Sequence, residues 1–164
     1  MSKNPSNTQD FSEQGNLIAD IRIRWYDDTL LNRVQGRQSI RFFLECLGVT
    51  ADVACDIFEV LVEAYRDGSA VSVSQIKEEV IKKIEKRGDE NKGTTERNIQ
   101  IWIKFFRDIE MIQMIGSGKS AKYMLYGGRK PSEVFITHTK AQVIDRASMF
   151  IVRALEKVER EYDI

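Results

Sequence analysis

The stretch Gly116-Ser117-Gly118-Lys119-Ser120 carries the plainest chemical suggestion in this sequence. A phosphate-binding loop reads G-x-x-x-x-G-K-[ST]; its glycines let backbone N–H groups close on phosphate, and its lysine reaches the outer phosphates. In that frame the first required glycine falls on Gln113. Such a loop must also open a helix, whose N-terminal amides face the phosphate. The residues that follow, Ala121–Tyr126, read as a strand. The glycines therefore read as turn residues, and nucleotide hydrolysis is not expected. The single histidine, His138, sits between Thr137 and Thr139 at an apparent helix start and reads as a surface or capping residue rather than a base. Cys46 and Cys55 lie on apolar faces and read as small core hydrophobes. Two cysteines and one histidine do not have the spacing of a zinc site. Trp25 and Trp102 are expected in the core. The chain is not expected to be an enzyme, and no cofactor or metal is called for.

A second group of residues suits recognition rather than catalysis. Arg97, Gln100 and Lys104 recur at i, i+3, i+7, opposite the apolar set Ile99, Trp102, Ile103 and Phe106. Arginine can grip guanine O6 and N7 with two hydrogen bonds, and glutamine can do the same for adenine. Thr94, Thr95 and Asn98 near the helix start suit phosphate contacts, aided by the positive end of the helix. Lys119 and Lys122 in the hairpin, with Arg129 and Lys130 just beyond it, suit a phosphate backbone or a minor groove. Lys plus Arg and Asp plus Glu number 25 each, so the whole chain is neutral. From Lys92 to Lys130, however, eight basic residues face three acidic ones, a net +5, which leaves −5 on the rest. A neutral chain with a basic third has the charge pattern of a compact DNA footprint. The bland alternative is a solvated helix face. Ile101 and Phe105, toward the outer side of the same helix, would favour a protein partner.

These side chains need elements to hold them. At 164 residues the chain is long enough for one domain with extensions, and its 42% apolar and 30% charged content is that of a globular protein. Residues 1–15, rich in Ser, Asn and Gln, read as a disordered tail without a secretory signal; no apolar run could span a bilayer. With its two thiols, the chain is expected in the reducing cytoplasm. Residues 16–48 read as an N-terminal helical extension. Ile21, Ile23 and Trp25 alternate as in a strand, but the stretch also fits a helix and leans that way. Ile40, Phe43, Leu44 and Leu47 then share a helical face, with Ser39 as cap and Gly48 as stop. Thr50 is expected to cap a helix carrying Val53, Ile57, Phe58, Leu61 and Tyr65. A short β-like run, Ala70–Val73, precedes a helix opening at Ser74 and stopped by Gly88. Thr94 or Thr95 caps the next helix. Met111–Ile115 and Ala121–Tyr126 form a β-hairpin with a loop of about five residues. Gly127, Gly128 and Pro131 end it. A last helix from about Thr139, about 35 Å long at 1.5 Å per residue, carries a seam of Ile144, Ala147, Ile151, Leu155 and Val158. That seam predicts dimerisation.

The order from 49 to 126 is helix, short strand, helix, helix, β-hairpin. It resembles small winged helix-turn-helix transcription regulators, especially archaeal-type ones with a dimerising C-terminal helix. Leu47-Gly48-Val49-Thr50 resembles the phrase before that family's opening helix. SVSQIKEEV is similar to its scaffold helix, and TTERNIQIWIKFFRDIEMIQMI to its recognition helix running into the wing. Two positions depart: Glu110 stands where the family commonly has Gly, and Ala141 replaces the Gly of the phrase after the wing. The resemblance implies a mainly α fold with a small β-hairpin, a winged helix over 49–130 and a dimerisation helix over 131–164. It implies a homodimeric, sequence-specific regulator of transcription on double-stranded DNA, away from membranes. No residue pattern names a small-molecule effector. The alternative is a winged-helix protein-interaction module in a replication, segregation or transcription assembly.

Overall fold

The computed structural model describes residues 17–164; the tail expected over 1–15 lies outside the described residues. The fold is mainly helical with one two-stranded antiparallel hairpin. Helix α1 spans Arg37–Cys46, α2 Asp52–Arg66, α3 Val73–Arg87 and α4 Glu96–Asp108. Strands β1 (Ile112–Ile115) and β2 (Lys122–Leu125) follow, then a continuous helical path from Pro131 to Glu161. No helix among the described residues is long and apolar enough to cross a membrane.

Local chemistry explains most boundaries. Helix α3 opens on a reciprocal cap: Gln75 N–H donates to Ser72 Oγ at 3.2 Å, and Ser72 N–H donates to Gln75 Oε1 at 2.9 Å. The cap is thus Ser72, not Ser74. Gly88 ends α3 with φ +73°, the left-handed conformation that costs glycine least. At the end of α4 the same conformation falls on Glu110, with φ +60°. A side chain there is strained. Thr50 caps nothing: α2 starts from Ala51 without a side-chain bond. Ser39 lies inside the first turn of α1, its Oγ donating to the Gly36 carbonyl at 2.6 Å.

The N-terminal segment departs most from expectation. Residues 17–35 are irregular apart from one tight turn, Asp28–Leu30, capped by Asp27. The Arg24 N–H donates to the Cys46 carbonyl at 2.7 Å, which pins this chain across the end of α1. Trp25, expected in the core, is 96% exposed. Among the described residues, no strand pairs with its alternating neighbours.

The core lies where α1 to α4 and the hairpin meet. Ile57, Leu61, Ile76, Ile99, Phe106, Ile112 and Leu125 are fully buried. Phe43, Phe58 and Phe106 stack in sequence, with centroids 5.1 and 5.3 Å apart, joining α1, α2 and α4. One ionic hub lies among them. Asp56, 1% exposed, accepts from Arg37 Nε at 3.0 Å and from Arg87 Nη1 and Nη2 at 2.9 and 3.0 Å. It ties α1 and α3 to α2 through a buried carboxylate. The strands pair Ile112 with Leu125 and Ile115 with Lys122. The short β-like run narrows to one residue: Val71 exchanges two backbone bonds with Tyr123, at 3.0 and 2.7 Å.

The C-terminal helical path begins at Pro131, eight residues before the expected Thr139. Proline suits a first helical position. Helix α5 (Pro131–Val134) continues into Phe135–Ile144, which is wound in i→i+5 turns. The Asp145 N–H, for example, donates to the Lys140 carbonyl five residues back. Helix α6, Asp145–Glu161, has no buried residue.

Candidate nucleic-acid interface

Helix α4 is held by its buried face and its cap. Ile99, Ile103 and Phe106 are buried, and Trp102 and Phe105 pack edge-to-face at 5.7 Å. The Asn98 N–H donates to Thr95 Oγ1 at 3.2 Å, so Thr95 is the cap. Asn98 Nδ2 donates to the Gly93 carbonyl at 2.7 Å, and the Thr94 hydroxyl bonds the Asn91 side chain. These three residues therefore shape the helix start; Asn98 and Thr94 are already engaged within the protein.

The outward face of α4 presents Arg97, Gln100, Lys104 and Arg107, all exposed. They recur at i, i+3, i+7 and i+10, so they run as one stripe along the helix. Gln100, Lys104 and Arg107 line a concavity of about 500 Å³ with Ile103, Asp108 and Tyr123. This hollow joins α4 to β2 through the buried Tyr123; Lys122, one residue earlier on the strand, is exposed on the opposite face. Lys104 is not a free cation: its Nζ lies 2.6 Å from Asp108 Oδ2. An exposed i,i+4 pair of this kind is worth about 0.3–0.5 kcal/mol, so an anionic ligand could displace it. Arg107 joins the stripe although the spacing Arg97, Gln100, Lys104 alone does not include it. Its signal was available, since it continues the same helical spacing by one more step.

The hairpin places its basic residues unevenly. Gly118–Ser120 forms a single tight turn, so Lys119 sits exposed at the tip. The chain then enters β2 rather than a helix, so this glycine turn does not open a helix. Lys122 begins β2. Arg129 is exposed but follows the opposite end of that strand, at the base of the hairpin, away from Lys119. Lys130 lies 3.5 Å from Glu133. The structure thus gathers Gln100, Lys104 and Arg107 at one hollow with Arg97 on the same helical stripe, puts Lys122 on β2 and Lys119 at the tip, and leaves Arg129 apart.

Ile101 is 54% exposed on α4, whereas Phe105 is half-buried. Burial pushes the thiol pKa of both Cys46 and Cys55 up, which disfavours a reactive thiolate. His138 is neither a free surface residue nor a cap. It is half-buried inside the helical path, its ring 3.8 Å from that of Tyr126 and its Nδ1 3.9 Å from Glu110 Oε2. Along the C-terminal seam, Ile144 and Ala147 are half-buried, and Ile151, Leu155 and Val158 are exposed. Comparison of the chain with protein-family models, with curated proteins and with solved structures finds no match.

Proposed function

We propose that this chain is a winged helix-turn-helix regulator that binds double-stranded DNA as a homodimer. The observation that carries this reading is the exposed polar stripe Arg97–Gln100–Lys104–Arg107 on α4, beside a hairpin bearing Lys119 and Lys122. On this reading α3 and α4 are the helix-turn-helix, and the hairpin is the wing. A helix fits the major groove, and this one carries the donors that read base edges. Arg97 and Gln100 contact bases; Lys119, Lys122 and Arg107 contact phosphate, and Lys104 exchanges Asp108 for DNA. The dimer sets two such helices in successive major grooves about 34 Å apart, blocking or recruiting other factors at the site.

Base and phosphate contacts fail differently. A bidentate base contact is worth about 1–3 kcal/mol of discrimination, and each phosphate contact adds about 0.9 to the salt slope. Arg97→Ala should therefore blur preference at one base pair of each half-site. Lys122→Ala should weaken all sequences alike and flatten the salt dependence by up to about two units in a dimer. Binding curves on selected and scrambled duplexes, over a range of salt, separate the two. If Arg97→Ala and Lys104→Ala leave affinity and preference untouched, α4 is not the reader. One observation favours the second reading, a protein-binding winged helix: Ile101, exposed on the outer side of α4. Ile101→Ser would then abolish partner capture while leaving duplex binding alone.

A further inference from the structure

The chain carries two apolar surfaces with nothing against them among the described residues. One is convex. Ile144, Ala147, Ile151, Leu155, Val158 and Tyr162 lie within a narrow arc of α6 and its immediate flanks, and Ile151 is 60% exposed. The other is concave, a groove of about 620 Å³ between α1, α2 and the helical path, walled by Ile40, Phe43, Val62, Phe135, Ile136 and Ile144. Ile144 belongs to both, so the seam of α6 runs directly into the groove wall. A helix with an exposed apolar face is marginal on its own and needs a partner.

We propose that two copies of this chain pair α6 antiparallel about Ile151, so that the last turn of each covers the groove of the other. This rests on the homodimer half of the reading above. In this register Ala147 faces Leu155 of the second copy, and Ile144 faces its Val158. Tyr162 lies eleven residues from Ile151, about 16 Å, and Ile144 lies seven residues away, about 10 Å. Tyr162 of the second copy therefore reaches about 6 Å past Ile144, over the groove. A parallel pair would leave both grooves open. Charge points the same way. The end of α6 and its flank hold Glu156, Glu159, Glu161 and Asp163 against Lys157 and Arg160, whereas the stretch around its start holds Lys140 and Arg146 against Asp145. Antiparallel pairing sets the acidic end beside the basic one and opposes the two helix dipoles. A stable dimer buries about 800 Å² per copy, and the groove extends the helix face, about 25 Å long, available for that burial. The contact is self-complementary, as two-fold symmetry demands.

Full-length Ala147→Cys and Leu155→Cys, each in a Cys46→Ser background, test this by oxidation alone and after mixing. The expected result is a disulfide-linked dimer only in the mixture. Covalent dimers of Ala147→Cys alone show a parallel pair and overturn the proposal while leaving the homodimer in place. A dimer by mass with no cross-link in any combination also overturns it. A monomer at all concentrations sinks the homodimer with it. The groove has its own test: Ile40→Glu, with its helicity checked by circular dichroism, should weaken dimerisation at least tenfold. Unchanged dimerisation in that variant would leave the groove uncovered, free for a small apolar molecule, and would contradict the proposal.

Discussion

Asp56→Ala removes the carboxylate that holds three helices together. Asp56 is buried and takes three charge-assisted hydrogen bonds, one from Arg37 and two from Arg87. Breaking a buried ion pair by deleting one partner costs about 3–5 kcal/mol, because the other charge is stranded. Here the stranded groups are guanidiniums whose side chains remain 25% and 29% exposed, so both can turn toward water. The expected loss is therefore at the lower end, about 3 kcal/mol. For a chain of this size that is a drop of roughly 6–12 °C in Tm. Asp56→Asn keeps an acceptor and the shape but loses the charge, and should cost about half as much. Urea titrations at one fixed protein concentration measure both, since a dimer's apparent stability depends on concentration. A shift in midpoint at constant slope is the expected form. A loss below about 1 kcal/mol in both variants would show that apolar packing alone joins α1, α2 and α3, and that the hub contributes little.

Further outcomes follow from single residues. Glu110→Gly should stabilise the fold by about 0.5–1 kcal/mol in the same titration, because it relieves a side chain held at φ +60°; destabilisation would mean that the approach of Glu110 to His138 outweighs the strain. Lys119→Ala should leave stability within about 0.5 kcal/mol and weaken duplex binding. Calorimetry should detect no ATP binding before or after that change, and saturable binding lost in the variant would restore the phosphate-loop reading. Ile151→Asp should give a monomer in light scattering with helicity retained, whereas an unchanged dimer mass would move the interface off α6.

Elements with a strong period and a clear stop were readable before the structure. The stripe Val53–Tyr65, the stop at Gly88 and the hairpin around Gly116–Gly118 each rest on local chemistry and lie where local rules place them, while the cap that local rules leave between Thr94 and Thr95 falls on Thr95. What escaped depends on contacts distant in sequence. Trp25 and Ile23 look like core residues by type, yet the chain around them is fixed by a backbone bond to Cys46, which leaves them outside. The early start at Pro131 was hidden because Gly127, Gly128 and proline read as breakers, although proline also opens helices. The i→i+5 winding of Phe135–Ile144 leaves no mark in an apolar pattern. At the candidate interface, helical spacing found Arg97, Gln100 and Lys104 and stopped one step short of Arg107. Spacing carries no information on pairing, so the bond from Lys104 to Asp108 and the separation of Arg129 from Lys119 appear only in three dimensions.

Whether α4 and the hairpin hold DNA is read by equilibrium binding of the full chain to a labelled random duplex, followed by anisotropy across a range of salt. Contacts from Arg107, Lys119 and Lys122 on two subunits predict that log affinity falls linearly with log salt, with a slope of roughly −5. Binding that is absent at low salt, or that does not change with salt, would contradict the account.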